Sequence, residues 1–309
     1  MIKQTIKKAK LSDTRNKEVE LSIIDDLISN GPTTVILFSI DLTGSTKFKS
    51  LNDDWPDIFF KCFLKIEEHI KSQKYSDGKT RINAHVLKYA GDEVIFLAVP
   101  RSDKELYEII QSVHRASLVL SEHIHNFTSI FVKTISGKIK NTSRTPLGLK
   151  ITMWSAIVSG KSQINNPRLH SLIFSPRVIG AARPIDIIGT DMDCGFRLSK
   201  FAFPGITLLS VDLAYMCYSR LYGTIFGESQ IRLSEFQILK GIWNDKPYPI
   251  LFFSEEWDDF LNQYQYPNIG PVVKEVSQKN KYPRGILFKT IKSNLIKAKI
   301  AEILQFIRP

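Results

Sequence analysis

Runs of apolar residues alternate with amphipathic stretches along this chain, and the two kinds of run set the elements to expect. Residues 35–42, VILFSIDL, are rich in β-formers. The TGSTKFK that follows opens an amphipathic stretch carrying Phe59, Phe60, Phe63, Leu64 and Ile66, so the pattern predicts strand, tight turn and helix. HVLKYAGDEVIFLAV places β-formers on both sides of Ala90-Gly91-Asp92, a hairpin that would set Lys88 and Asp92 near one tip. Ser102, with Glu105 three residues on, heads SDKELYEIIQSVHRASLVLSEHI in the manner of a helix capping box. LGLKITMWSAIVSG reads as a strand and IDIIGTDMDCGFRLSKFA as a turn leading into a helix. ITLLSVDLAYMCYSRL and FQILKGIWNDKPYPILFF supply further strand and helix. Alternating β and α units over residues 33–256 make one α/β domain the economical division. It is flanked by a polar, helical extension over residues 1–32 and a basic helical extension over 257–309.

Composition narrows the class. At 309 residues, 43% apolar and 24% charged, the chain has too much core-forming material for a disordered protein and too much charge for a membrane bundle. No apolar run reaches the length of a spanning segment, and the start, MIKQTIKKAK, leads into LSDTRNKEVE without the apolar stretch of a secretory signal. Cys62, Cys194 and Cys217 are odd in number and far apart, which argues against a disulfide framework or a cysteine zinc site and fits a reducing cytoplasm. Forty-two Lys+Arg against thirty-one Asp+Glu leave a charge of +11, which favours polyanionic contacts such as nucleotide phosphates, nucleic acid or an acidic membrane surface. Nine Lys/Arg between Lys274 and Arg308, against Glu275 and Glu302, sit beside a helical stripe of Ile291, Leu295, Ile300, Ile303, Leu304 and Ile307. This stripe reads as a docked structural helix, with a membrane-surface or nucleic-acid contact as the competing reading.

The chemistry is carried by carboxylates at strand ends. Asp41 closes one apolar strand and Asp92 follows the glycine of the hairpin, so the two can converge to bind cations. Thr43-Gly44-Ser45-Thr46, at the start of a helix, has the small side chains and main-chain N–H groups of a phosphate cradle. Mg²⁺ and Mn²⁺ are commonly held by one or two carboxylates together with substrate phosphate oxygens, and the carbonyl of Leu42 can add a ligand. Cation plus cradle points to a nucleoside triphosphate. His123 and His125, two apart on a helix, face different ways and make a poor metal pair. Cys194 reads as a packed small side chain.

Three segments in order, FSIDLTGST, LKYAGDE and IDIIGTDMDCGFRLSK, resemble the signature of the class III nucleotidyl cyclases. The resemblance implies a ferredoxin-like βαββαβ core, an α+β sandwich with helices on one face of a mainly antiparallel sheet. It further implies that Asp41 and Asp92, with Leu42 at the adjoining main-chain position, hold two divalent ions, Mn²⁺ or Mg²⁺. Lys88 and Asp186 match the base-recognising positions, Arg197 the transition-state arginine and Lys240 the triphosphate-binding lysine. Two departures stand out. Asp193 replaces the usual ribose-orienting Asn, four residues before Arg197 and on the same helical face, and a carboxylate there can accept from a ribose hydroxyl but cannot donate. Ile188 replaces a common Trp. In the family the ribose 3′-oxygen attacks the α-phosphorus in line and pyrophosphate leaves. Two antiparallel protomers share each site, so a homodimer is implied.

Lys88 only donates and ionised Asp186 only accepts, so the pair calls for a base edge with an acceptor beside a donor. Adenine, cytosine and uracil all qualify, and guanine fits less well. The divergent signature, the GST turn and the single-domain layout are similar to the pyrimidine cyclases of the bacterial Pycsar anti-phage system. That similarity implies cyclic UMP or cyclic CMP made as a cytoplasmic messenger for a separate effector, with no stable nucleic-acid or membrane partner. Adenylate cyclase is the alternative within the enzyme class. A basic nucleic-acid-binding protein is the alternative outside it, supported by Tyr264, Tyr266, Tyr282 and Phe288 among lysines. A cyclase fold without activity is disfavoured by the retained Asp41, Asp92 and Arg197.

Overall fold

The computed structural model describes residues 32–135, 146–159, 171–174, 186–221 and 230–255. Of the two expected extensions, residues 1–31 of the first and all of 257–309 lie outside them. The chain order opens β1 (Thr33–Thr43), α1 (Ser45–Leu51), α2 (Trp55–Ser72), β2 (Ala84–Ala90), β3 (Glu93–Ala98), α3 (Asp103–Ile135) and β4 (Gly148–Ser159). This is the βαββαβ core, with strand order β2-β3-β1-β4. There follow β5 (Ser171–Phe174), β6 (Asp186–Gly189), α4 (Thr190–Leu198), β7 (Thr207–Leu209), α5 (Val211–Leu221), β8 (Ile231–Ile238) and β9 (Pro247–Phe253). They extend the sheet through β7-β9-β8, while β5 pairs with β4 and β6. The β4–β5 and β4–β7 pairs are parallel and the others antiparallel, as expected of a mainly antiparallel sheet.

Both faces of the central strand are covered, which is why its sequence reads as a nearly unbroken apolar run. Ile36, Phe38, Ile40 and Leu42 join the core beneath α2 and α3, whereas Val35 and Leu37 join a second core with Ile95, Leu97, Trp154 and Met192. On that second face the apolar residues give way to Ser39 and Asp41 toward the strand's end, and there the site opens. Helix α2 buries Ile58, Phe59, Cys62, Ile66 and Ile70, mostly at four-residue steps, and each fully covered side chain contributes about 1.5–3 kcal/mol. Phe60 and Leu64, counted in the apolar stretch by the sequence reading, are exposed because that spacing turns them to the opposite side of the helix. At α3 the Glu105 N–H donates to Ser102 Oγ at 3.1 Å, and Glu105 Oε2 accepts from Arg101 N–H at 2.8 Å. The capping box forms, with the glutamate reaching one residue further back than the standard geometry. Helix α4 lies across the second face: Met192 joins the core of Trp154 and Ile187. The helical cover is therefore on one face for α2 and α3, with α4 opposite.

Candidate active site

The main-chain ladder assembles the acidic end of the site. Asp41 pairs in register with Glu93 on β3 and with Lys150 on β4, so all three stand on the second face. Ala90 pairs with Glu93, leaving Gly91-Asp92 as a two-residue turn. Gly91 has φ +69° and Asp92 does not share that sign, the arrangement that suits a tight hairpin. Leu42 N–H donates to Asp92 O at 3.0 Å, which holds the turn against the end of β1. Ser45, buried at the start of α1, donates its hydroxyl to Asp92 Oδ2. Lys150 Nζ donates to Asp41 Oδ2 at 2.7 Å.

Burial pushes Asp41 above the ordinary aspartate value; Lys150 opposes that rise and Asp92 adds to it. Glu93 is raised in the same way, first by burial, with Ser39 opposing through a hydrogen bond and Asp41 adding to the rise. Asp41 and Glu93 thus both feel the charge of Asp92. Among the described residues no three His, Cys, Asp or Glu side chains form a ready-made metal cage. The donor set is two aspartates and main-chain oxygen, all hard ligands. That set fits a Mg²⁺- or Mn²⁺-type ion whose remaining positions are filled by substrate phosphates, and the lysine ammonium on Asp41 marks the spot as one that attracts a cation.

A second group lies nearer β6 and α4. Lys88 Nζ donates to both oxygens of Asp186, at 2.7 and 2.9 Å, and stands 5.6 Å from the centre of the Phe196 ring. Asp186 Oδ1 also accepts from Ile187 N–H at 2.8 Å. Lys88 reaches this side through a β-bulge: pairing in β2 slips between Val86 and Lys88, so Val86 packs toward the helices while Lys88 lies opposite Ile95 of the second core. Helix α4 carries Asp193, exposed, and Arg197, half-buried. Arg197 Nε is buried without a hydrogen-bond partner among the described residues, a donor with unmet demand.

The structure therefore brings Asp41, Leu42, Asp92 and Ser45 together, and it joins Lys88 to Asp186. Thr43 ends β1, Gly44 links it to α1, and Thr46 is exposed on the first turn. The hydroxyl of Ser45 is committed to Asp92, so the cradle expected at TGST reduces to its main-chain groups and neighbouring threonines. Lys240 is exposed in the β8–β9 connection. Because Ile231 pairs with Phe253, Phe253 with Thr207 and Thr207 with Ile151, the start of β8 is level with Lys150. Lys240, beyond Ile238, is at the far end of the sheet from Asp41. Sequence reasoning missed Lys150, Glu93 and Asp191. Asp191 is buried and its Oδ2 accepts from Ile157 N–H and the Ser171 hydroxyl at 3.2 and 3.3 Å, tying α4 to β4 and β5. A lone lysine inside the apolar LGLKITM was the available signal for Lys150. The histidines take no metal-like arrangement among the described residues, the three cysteines are free and buried, and no helix of the described residues is long and apolar enough to cross a membrane.

No protein-family profile and no curated protein matches the sequence. Solved structures similar to the chain include the adenylyl cyclase CyaB from P. aeruginosa, at 12% identity over 73% of this chain and 95% of that one, with a TM-score of 0.48. They also include the guanylate cyclase domain of RhGC from Catenaria anguillulae in complex with GTP, at 12% identity over 72% and 96%, TM-score 0.43. Adenylate cyclases from Trypanosoma brucei in their monomeric state give 14% identity over 72% and 89%, TM-score 0.45.

Proposed function

We propose that the protein is a metal-dependent nucleotidyl cyclase that converts UTP or CTP to the 3′,5′-cyclic monophosphate and pyrophosphate. The observation that carries the reading is the meeting of Asp41 and Asp92 at adjoining strand ends, fixed by the Leu42–Asp92 main-chain bond. These two carboxylates and the Leu42 carbonyl would hold two divalent ions against the triphosphate. Such ions, when bound, would acidify the ribose 3′-hydroxyl and draw charge from the phosphates.

The chain's own residues do the rest. Lys88 and Asp186 exchange their mutual bond for a base edge that pairs an acceptor with a donor, which cytosine, uracil and adenine present. Asp193 accepts from a ribose hydroxyl. Main-chain N–H groups at Gly44–Thr46 and the side chains of Thr43 and Thr46 meet phosphate oxygens, and Lys240, distant from Asp41 in its own protomer, would meet them from the antiparallel twin. The 3′-oxygen forms its bond to the α-phosphorus as the bond to pyrophosphate breaks. Arg197, whose Nε lacks a partner, donates to the α-phosphoryl oxygens as their charge grows. Asp41 and Asp92 come from one protomer and Lys88, Asp186 and Arg197 from its antiparallel twin, giving two equivalent sites per homodimer. The pyrimidine preference and the role as a cytoplasmic anti-phage messenger for a separate effector rest on the sequence resemblance to the Pycsar cyclases.

The test is to supply purified protein with Mn²⁺ and each of the four nucleoside triphosphates in turn, and to measure pyrophosphate and cyclic product. Turnover of one pyrimidine triphosphate is expected. A preference for ATP would make the protein an adenylate cyclase. No turnover, together with salt-sensitive and base-indifferent DNA affinity, would favour the nucleic-acid-binding reading.

A further inference from the structure

Lys150 has no place in the sequence signature, yet it occupies a charged corner of the second face. The β1–β4 ladder sets it directly across from Asp41, and neither side chain is free in solvent: they keep 25% and 20% of their exposure. Around this pair stand Asp92 and Glu93, whose hydrogen-bond partners are the uncharged hydroxyls of Ser45 and Ser39. Lys49 also acts on Asp41, but its ammonium is 5.4 and 5.1 Å from the ring centres of Trp55 and Phe59. Lys150 is thus an ammonium in direct contact with the acidic group. Carboxylates whose charges act on one another while partly removed from water repel, and a cation fixed beside them offsets that repulsion.

We propose that Lys150 is a resident counter-cation, which holds the Asp41 side chain in place until a divalent ion arrives and which that ion must displace from Asp41. The inference rests on reading Asp41 and Asp92 as the metal pair, and it assigns to this chain's own lysine the setting of metal affinity. A monovalent ammonium on a flexible stem suits such a role. It satisfies one carboxylate oxygen, withdraws by rotation, and leaves its charge near enough to lower the affinity for a second cation. Removing the positive charge should therefore tighten divalent binding while costing stability only in the metal-free protein.

The experiment titrates Mn²⁺ into the full-length protein by calorimetry, without nucleotide, and follows thermal unfolding with and without saturating Mn²⁺. Lys150→Met is expected to bind Mn²⁺ about tenfold more tightly or better, on the order of one charge removed at this range. Its melting temperature should lie below wild type in chelator and recover in Mn²⁺. Lys150→Gln, which keeps a donor on a long stem, gives the same comparison if the Met variant does not fold, and Lys150→Arg should stay near wild type. Unchanged or weaker Mn²⁺ binding, or an equal loss of stability with and without Mn²⁺, would overturn the proposal and leave a purely structural ion pair. Absence of Mn²⁺ binding in wild type and in every Lys150 variant would overturn the metal-pair reading itself, an outcome distinct from binding that ignores Lys150.

Discussion

Gly195 shows how closely a single position governs the arginine two residues beyond it. A Cβ at Gly195 would lie 2.2–2.6 Å from three atoms of the Trp154 indole, and Trp154 is enclosed with 1% of its surface exposed. Neither the packed ring nor the strand beneath it has room to yield. Gly195→Ala is expected to destabilise the protein by about 1–3 kcal/mol and to lift α4 away from the sheet. In a folded sample, substrate turnover should fall more than the stability loss alone explains, because Asp193 and Arg197 ride on the same helix; denaturant unfolding and kinetics on one preparation check this. Single residues also mark the limit of what the sequence disclosed. Asp41 and Asp92 stood out because a carboxylate at the end of an apolar strand interrupts an otherwise regular pattern. Lys150 did not, because cross-strand register rather than local spacing sets it against Asp41, and the Ser45–Asp92 bond did not, because it joins a helix start to a distant hairpin turn.

Among the elements, α3 and the sheet it covers carry a pH-sensitive joint. His114 is buried on α3, its Nδ1 3.0 Å from Thr207 Oγ1 and its ring 5.2 Å from the centre of Phe253. Burial, aided by Arg115, lowers its pKa from 6.5 to about 4. An unfolded chain takes up this proton near pH 6.5 while the folded chain refuses it until about pH 4. Through that window the unfolded state holds more protons, so stability falls as pH falls. The loss from this one group is at most about 3 kcal/mol. His114→Gln should flatten the decline in urea midpoint between pH 6.5 and pH 4, whereas an unchanged slope would assign the decline to other groups. Element type was legible wherever the apolar period ran long, as in β1, the β2–β3 hairpin, α3 and β4. Short β5 and β6 were not, since each is only four residues and is defined by pairing with a neighbour instead of by a periodic face.

At the scale of the whole molecule, the proposed function makes the acidic end and the Lys88–Asp186–Arg197 group complementary halves of one site shared by two protomers. Mixing Asp41→Ala protein with Arg197→Ala protein under conditions of proven subunit exchange is expected to restore one intact site in each mixed dimer. At equal mixing and random pairing half the dimers are mixed, so activity should recover to about a quarter of wild type. No recovery despite exchange would confine each site to a single protomer. The alternation of strands and helices could be read along the chain, and the mainly antiparallel sheet came with the family resemblance, yet the placement of Lys240 could not be read: counting along the chain says nothing about which end of a nine-stranded sheet a loop will occupy.

The slip in pairing between Val86 and Lys88 carries a lesson about how this surface can change over time. Side chains one step apart along a regular strand alternate, so the extra residue is what lets Lys88 leave the interior side that Val86 keeps. Substitutions in this hairpin can adjust charge or size without altering that geometry. Losing one residue between Lys88 and the turn would instead set the lysine across from Val94 and fold the ammonium inward against packed hydrocarbon. The length of β2 is therefore held by selection more firmly than its composition, and descendants of this protein should drift here in letters and not in spacing.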